Sequence, residues 1–140
     1  MKNLILLVVA SAFISLSACA QKDAPVAVKN VFSQKFAKAI DVKWDMEGKT
    51  EWEAEFKLDG KEYSANFDLK GTWLETEYKI TENEIPAAIK TVIVKDYASS
   101  KIKAAEVSDT PKGKVVEVTF TKGIKNEEIC FDVNGKVVKN

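Results

Sequence analysis

Glu51, Glu53 and Glu55 form a row of titratable side chains, each two residues from the next. On an extended backbone that spacing puts all three carboxylates on one face of a strand. Acids so placed could hold a hard cation or act as acid and base in a hydrolysis. The plainer chemistry is a solvated sheet face balanced by cross-strand lysines such as Lys43 and Lys57. It is preferred, because catalysis would also require an enclosing cleft. Histidine is absent and every one of the 21 basic residues is lysine. The commonest general base, the commonest metal ligand and the bidentate guanidinium are therefore all missing. There is no Ser–His or Cys–His constellation, no cysteine pair at zinc spacing and no glycine-rich nucleotide loop. The sequence thus argues against an enzyme, a metal centre and a cofactor. With 21 lysines against 21 acids there is no basic field for a nucleic acid either.

Cys130 is the second candidate. Strand alternation places it with Glu128 and Asp132, opposite Ile129 and Phe131. If Cys19 carries a lipid, Cys130 is a lone thiol in an oxidising compartment, open to an intermolecular disulfide or redox contact. The plainer reading is a small side chain covered by its neighbours. Trp44, Trp52 and Trp73 are the third group, since exposed rings make ligand platforms. Trp52 shares its face with Ala54, Phe56 and Leu58 and reads as core, whereas Trp44 and Trp73, near strand ends, read as surface contacts.

These residues are positioned by a pattern written twice. Phe67-Asp68-Leu69-Lys70-Gly71 recurs as Phe131-Asp132-Val133-Asn134-Gly135. Upstream, Trp52 to Phe56 lies over Val116 to Phe120, and Pro25 to Phe32 over Pro86 to Ile93. Each Phe-Asp-x-x-Gly follows a period-2 run and precedes another apolar pair, so it reads as strand, tight turn and returning strand, with glycine supplying the positive φ. The structural residues of the motif are Phe67, Asp68 and Gly71, with Phe131, Asp132 and Gly135 as their counterparts. The chain then reads as helix followed by strands over residues 25–80, and again over 86–140. Val28, Val31, Phe32, Phe36 and Ala39 make one helical stripe, and Ile85, Ile89, Val92, Ile93 and Tyr97 the other. Val42 and Trp44 suggest a short first strand. Asp59-Gly60 marks a hairpin between the Trp52–Leu58 and Tyr63–Leu69 faces. Thr81 to Glu84 has capping-box spacing ahead of Pro86 and the second helix. Ala105 and Val107 suggest another short strand, and Val116, Val118 and Phe120 should pair with Ile129, Phe131 and Val133. Halves of about 60 residues would each be marginal, so they are expected to share a core or pack together.

At the amino terminus, a positive Met1-Lys2-Asn3 and an apolar Leu4 to Ile14 read as a signal peptide over residues 1–18. Leu16-Ser17-Ala18-Cys19 resembles the lipobox of bacterial lipoproteins, with cleavage before a lipidated Cys19 and a tether over 19–24. The alternative is cleavage after Ala18-Cys19-Ala20, releasing a soluble periplasmic or secreted protein. The expected location is the bacterial cell envelope, lipid-anchored to the outer membrane and facing the periplasm or the surface, with membrane contact only through that anchor.

Pro-x-x-(Val/Ile)-Lys opening both helices and Phe-Asp-x-x-Gly closing both sets of strands resembles the PepSY-like family over residues 25–140. The family's tandem-repeat secreted proteins have a fold related to the beta-lactamase-inhibitor protein. The resemblance implies an α+β fold, helix packed on one sheet face, and an extracytoplasmic location. Because PepSY domains occur in peptidase propeptides, it also implies inhibition or regulation of a secreted peptidase. The expected function is a non-enzymatic binding module for a protein partner, with Lys43, Trp44, Glu51, Glu53, Glu55, Lys57, Trp73 and Cys130 as its candidate interface. The alternative is a small-ligand carrier or sensor using the groove between the two halves.

Overall fold

Two prolines set the starts of the helices. The carbonyl of Pro25 accepts the Lys29 N–H at 3.1 Å, and that of Pro86 the Lys90 N–H at 3.0 Å. Proline cannot donate a backbone hydrogen bond, and its fixed φ suits a helix entrance. In the computed structural model, which describes residues 23–138, helix α1 spans Val26–Lys35 and helix α2 Ala87–Asp96. Helices of 10 residues are marginal by themselves in water, so their stability comes from the face they bury. Strands β1 (Ile40–Glu47), β2 (Glu51–Leu58), β3 (Lys61–Asp68) and β4 (Trp73–Ile80) follow α1. Strands β5 (Lys101–Thr110), β6 (Gly113–Lys122), β7 (Lys125–Asp132) and β8 (Val137–Val138) follow α2.

All eight strands form one antiparallel sheet in chain order. The fold is α+β, with both helices on the same sheet face. On that face Phe32 of α1 sits 5.2 Å from the Trp44 ring and 5.0 Å from Phe56, both edge-on. Val28, Trp52, Ala54, Ala65 and Phe67 complete this cluster. Ile85, Ile89 and Ile93 cover Ala105, Val107, Val116, Val118, Phe120 and Phe131 in the second. Each valine, isoleucine or phenylalanine among them taken out of water contributes about 1.5–3 kcal/mol. The first cluster is mainly aromatic; the second is mainly aliphatic, with Tyr97 stacked 4.7 Å from Phe120 and edge-on to Phe131. The halves meet along β4 and β5, paired from Thr76↔Asp109 to Ile80↔Ala105. Stacked and tilted rings carry the core from Phe56 across Tyr63 to Tyr78.

The repeated motif has a mechanical explanation. Phe67 and Phe131 are fully buried. Asp68 accepts the N–H groups of Lys70 and Thr72, both at 2.8 Å, through one carboxylate oxygen. Asp132 does the same for Asn134 at 2.9 Å and Lys136 at 3.0 Å. These bonds close each turn against the start of a helix. A Cβ on Gly71 would stand 3.4 Å from Val28 Cα, and one on Gly135 only 2.8 Å from Ala88 O. The glycines are required by that approach as well as by φ values of +90° and +84°.

Several expected details differ. The first strand is longer than the Val42–Trp44 pair suggested, and an irregularity between Ile40 and Lys43, with Asp41 at φ 57°, turns Val42 out to solvent. Leu69 and Val133 sit in the turns and are about half exposed rather than facing the core. The capping box forms, with Glu84 accepting the Thr81 N–H at 2.8 Å, but it closes a short 3-10 turn over Glu82–Glu84 and not α2 itself. Ala105 and Val107 belong to a strand of 10 residues, not a short one.

Candidate functional site: the open face of the sheet

Strand alternation sends every second residue away from the helices. The register then decides which of these stand together. Asp45 on β1 is opposite Glu53 on β2, and Glu47 is opposite Glu51. Glu53 and Glu55 face Asn66 and Ser64 of β3, which in turn face Glu75 and Glu77 of β4. Glu77 pairs with Ser108 of β5, Glu106 with Glu117 of β6, and Glu117 with Cys130 of β7. Carboxylates therefore recur across the uncovered face on β1, β2, β4, β5 and β6, bridged on β3 by Asn66 and Ser64 and met by Lys79 opposite Glu106. Asn66 donates to Glu47, and Ser108 donates to Glu75, so short polar side chains bridge the acids.

Partial burial among like charges shifts these groups. Glu53 is pushed up to about 7 by desolvation, then by Glu47, Glu55 and Asp45. Glu77 is pushed up to about 7 by desolvation, then by Glu75, Glu106, Glu47 and Glu117. Desolvation also raises Glu106, against the pull of Lys79, and Glu117, beside Glu128. The expected balance by cross-strand lysines is local. Lys43 stands opposite Glu55, but Lys57 bonds Asp41 at 2.9 Å and so turns to the sheet margin rather than to the glutamate row.

Of the sequence candidates, Glu51, Glu53 and Glu55 lie on this face with Lys43 and Lys57. Cys130 lies there too, buried, its thiol donating to Glu117 Oε2 at 3.6 Å. The tryptophans do not join them. Trp44 is buried on the helix side between Phe32 and Phe67, a core residue and not a contact surface. Trp73 is also on the helix side, its indole N–H donating to buried Thr76 at 2.9 Å and its ring 3.6 Å beneath the Lys35 ammonium. Cys19 lies outside the described residues. Glu75, Glu77, Glu106 and Glu117 escaped sequence reasoning, although Glu75-x-Glu77 repeats the two-residue spacing of the β2 row.

A half-open groove of about 420 Å³ lies on the helix side instead, between the two halves. Tyr63, Tyr78, Val107 and Val116 line it with Pro86 and Val133, and the Lys61–Glu84 ion pair crosses its rim. Glu53 has the protonation range of a general acid, but it stands on the uncovered face, away from this groove.

Among solved structures, the chain is similar to a BLIP-like protein from Bacteroides fragilis at 22% identity and a TM-score of 0.78, covering 84% of this chain and 85% of that one. It is also similar to a DUF2874 family protein from Bacteroides uniformis, at 20% identity and a TM-score of 0.76, covering 84% and 88%. A structure described as "putative periplasmic proteins" from Bacteroides eggerthii matches at 19% identity and a TM-score of 0.75, covering 84% and 88%. These likenesses establish the fold. No functionally curated protein matches the chain. The family model described as "Putative beta-lactamase-inhibitor-like, PepSY-like" matches residues 50–139, and the chain belongs to that family.

Proposed function

We propose that this chain is a non-enzymatic binding module of the bacterial envelope whose open sheet face contacts a protein. The observation that carries this reading is the set of carboxylates brought together by the strand register on a face that neither helix covers. Like charges opposite one another oppose folding, so the arrangement is explained by a contact made outside the chain. The PepSY-like family and a structural neighbour described as periplasmic support the setting. A secreted peptidase is the partner class that the family resemblance suggests. The lipobox-like Leu16–Cys19 supports anchoring through a lipid, with release as a soluble protein as the alternative. We further read residues 25–80 and 86–140 as an internal repeat, each a helix followed by four strands.

The test is affinity capture from envelope and secreted fractions, comparing the natural protein with a Glu53→Lys/Glu77→Lys variant. A saturable protein that the variant no longer retains supports the reading. Equal retention by both removes the open face from the account. A second reading rests on the groove of about 420 Å³, which supports a small-ligand carrier. It predicts a small molecule that co-purifies and is lost when Val133→Trp, at a half-exposed position of the lining, fills the groove.

A further inference from the structure

We propose that the open face docks a cationic protein surface, one that presents lysine or arginine side chains across a flat patch. This rests on the reading that the open face is the contact surface, and adds the chemistry of what contacts it. Three observations converge. The register sets Asp45 against Glu53, Glu47 against Glu51 and Glu106 against Glu117, pairs that repel in the isolated protein. The chain holds as many lysines as acids, yet many of its lysines sit away from this face, at turns such as Lys49, Lys70, Lys112 and Lys136. On the face itself Lys43 stands opposite Glu55 and Lys79 opposite Glu106. Asp45, Glu47, Glu51, Glu53, Glu75, Glu77 and Glu117 face no lysine across the register, so acids dominate and the face is complementary to cations. Finally, the aromatic rings of the sheet point to the helix side, and Ser64, Asn66 and Ser108 stand between the acids. The face therefore offers hydrogen-bond acceptors and charge rather than apolar pockets.

A docked cation favours the ionised carboxylates, so docking releases protons and weakens as pH falls through the range in which the face titrates. The groups facing Glu77 are Glu75 and Lys79 of its own strand, Ser64 and Asn66 of β3, Glu106 and Ser108 of β5, and, farther across the face, Glu47 of β1 and Glu117 of β6. Those facing Glu53 are Glu51 and Glu55 of its own strand, Lys43, Asp45 and Glu47 of β1, and Asn66 of β3.

The experiment titrates cytochrome c, a folded cationic protein, into the purified full chain at low ionic strength, near pH 8 and near pH 5.5. It compares a Glu53→Gln/Glu77→Gln/Glu106→Gln variant with an Asp59→Asn/Glu82→Gln/Asp96→Asn variant that loses the same charge elsewhere. Circular dichroism confirms that both are folded. The expected result is binding that the open-face variant weakens about tenfold and the control variant less than about twofold, with weaker binding by the natural protein at the lower pH. Equal loss in the two variants, or no binding, overturns the proposal. Sedimentation of the protein alone supplies another arm: self-association that the open-face variant abolishes would assign the face to a second copy and overturn the foreign partner. If cytochrome c fails to bind while a captured envelope protein still depends on Glu53 and Glu77, the cationic chemistry falls and the proposed function stands.

Discussion

Replacing Glu77 by glutamine should stabilise the protein at pH 8 and leave it unchanged near pH 4. The folded protein raises Glu77 from 4.5 to about 7, chiefly by desolvation. At about 1.4 kcal/mol per pH unit, that corresponds to about 3 kcal/mol against folding once the group is ionised. The side chain remains partly in water, and screening reduces the figure to about 1–2 kcal/mol. The sign follows from proton counting. Between the unfolded value near 4.5 and the folded value near 7, the folded chain holds more protons than the unfolded one. Stability is therefore greatest below about 4.5 as far as this group is concerned, and falls as pH rises through 7. Glu53 adds a contribution of the same sign. Glu84, held down to about 2 by its bonds to Lys61 and Thr81, acts oppositely and loses its contribution as pH falls from about 4.5 toward 2. Urea unfolding followed by tryptophan fluorescence from about pH 2.5 to pH 8 measures both trends. Glu77→Gln should raise the midpoint at pH 8, and the gain should vanish toward pH 4. A gain that is equal at all pH values, or a loss at pH 8, would refute the desolvation argument.

Three further outcomes follow from the turns and the thiol. Gly60→Ala meets nothing within 4 Å and carries only the cost of its φ of +81°, about 1 kcal/mol. Gly135→Ala adds a clash with the Ala88 carbonyl at 2.8 Å and should cost about 3 kcal/mol or more, measured by the same urea assay. Cys130, buried beside Glu117, should react with a disulfide reagent at least about a hundredfold more slowly in the native protein than in urea. Rapid labelling of the folded protein would show that the β6–β7 region opens readily.

Local chemistry makes the secondary structure readable. Pro25 and Pro86, the turn at Asp59-Gly60 and the two Phe-Asp-x-x-Gly motifs each have a short-range cause, and each lies where the residue pattern puts it. The alternation of Trp52, Ala54 and Phe56 with Glu51, Glu53 and Glu55 is enough by itself to separate the two faces of β2. What stays hidden depends on pairing between distant strands. The period-2 pattern of β4 does not say that Tyr78 meets Val107, and so does not reveal that Glu77 joins Glu106 and Glu117. The irregularity between Asn66 and Phe67 opposite Trp73 blurs that pattern further. Trp44 is misread as a surface contact for a related reason: its place near a strand end does not say that Phe32 of α1 comes to 5.2 Å from its ring and buries it. The expected balance between Lys57 and the glutamates fails because Asp41, brought into reach by the same irregularity, takes the ammonium instead.

The most direct measurement for the central claim is site-specific photo-cross-linking in envelope fractions. A photoreactive residue would replace Glu53 or Glu106 on the open face, and in separate preparations Asn30 or Val94 on exposed helix positions. The account predicts a saturable protein adduct from the Glu53 and Glu106 positions and none from the helices. Adducts concentrated at Asn30 and Val94, with the open-face positions silent in folded protein, would contradict it.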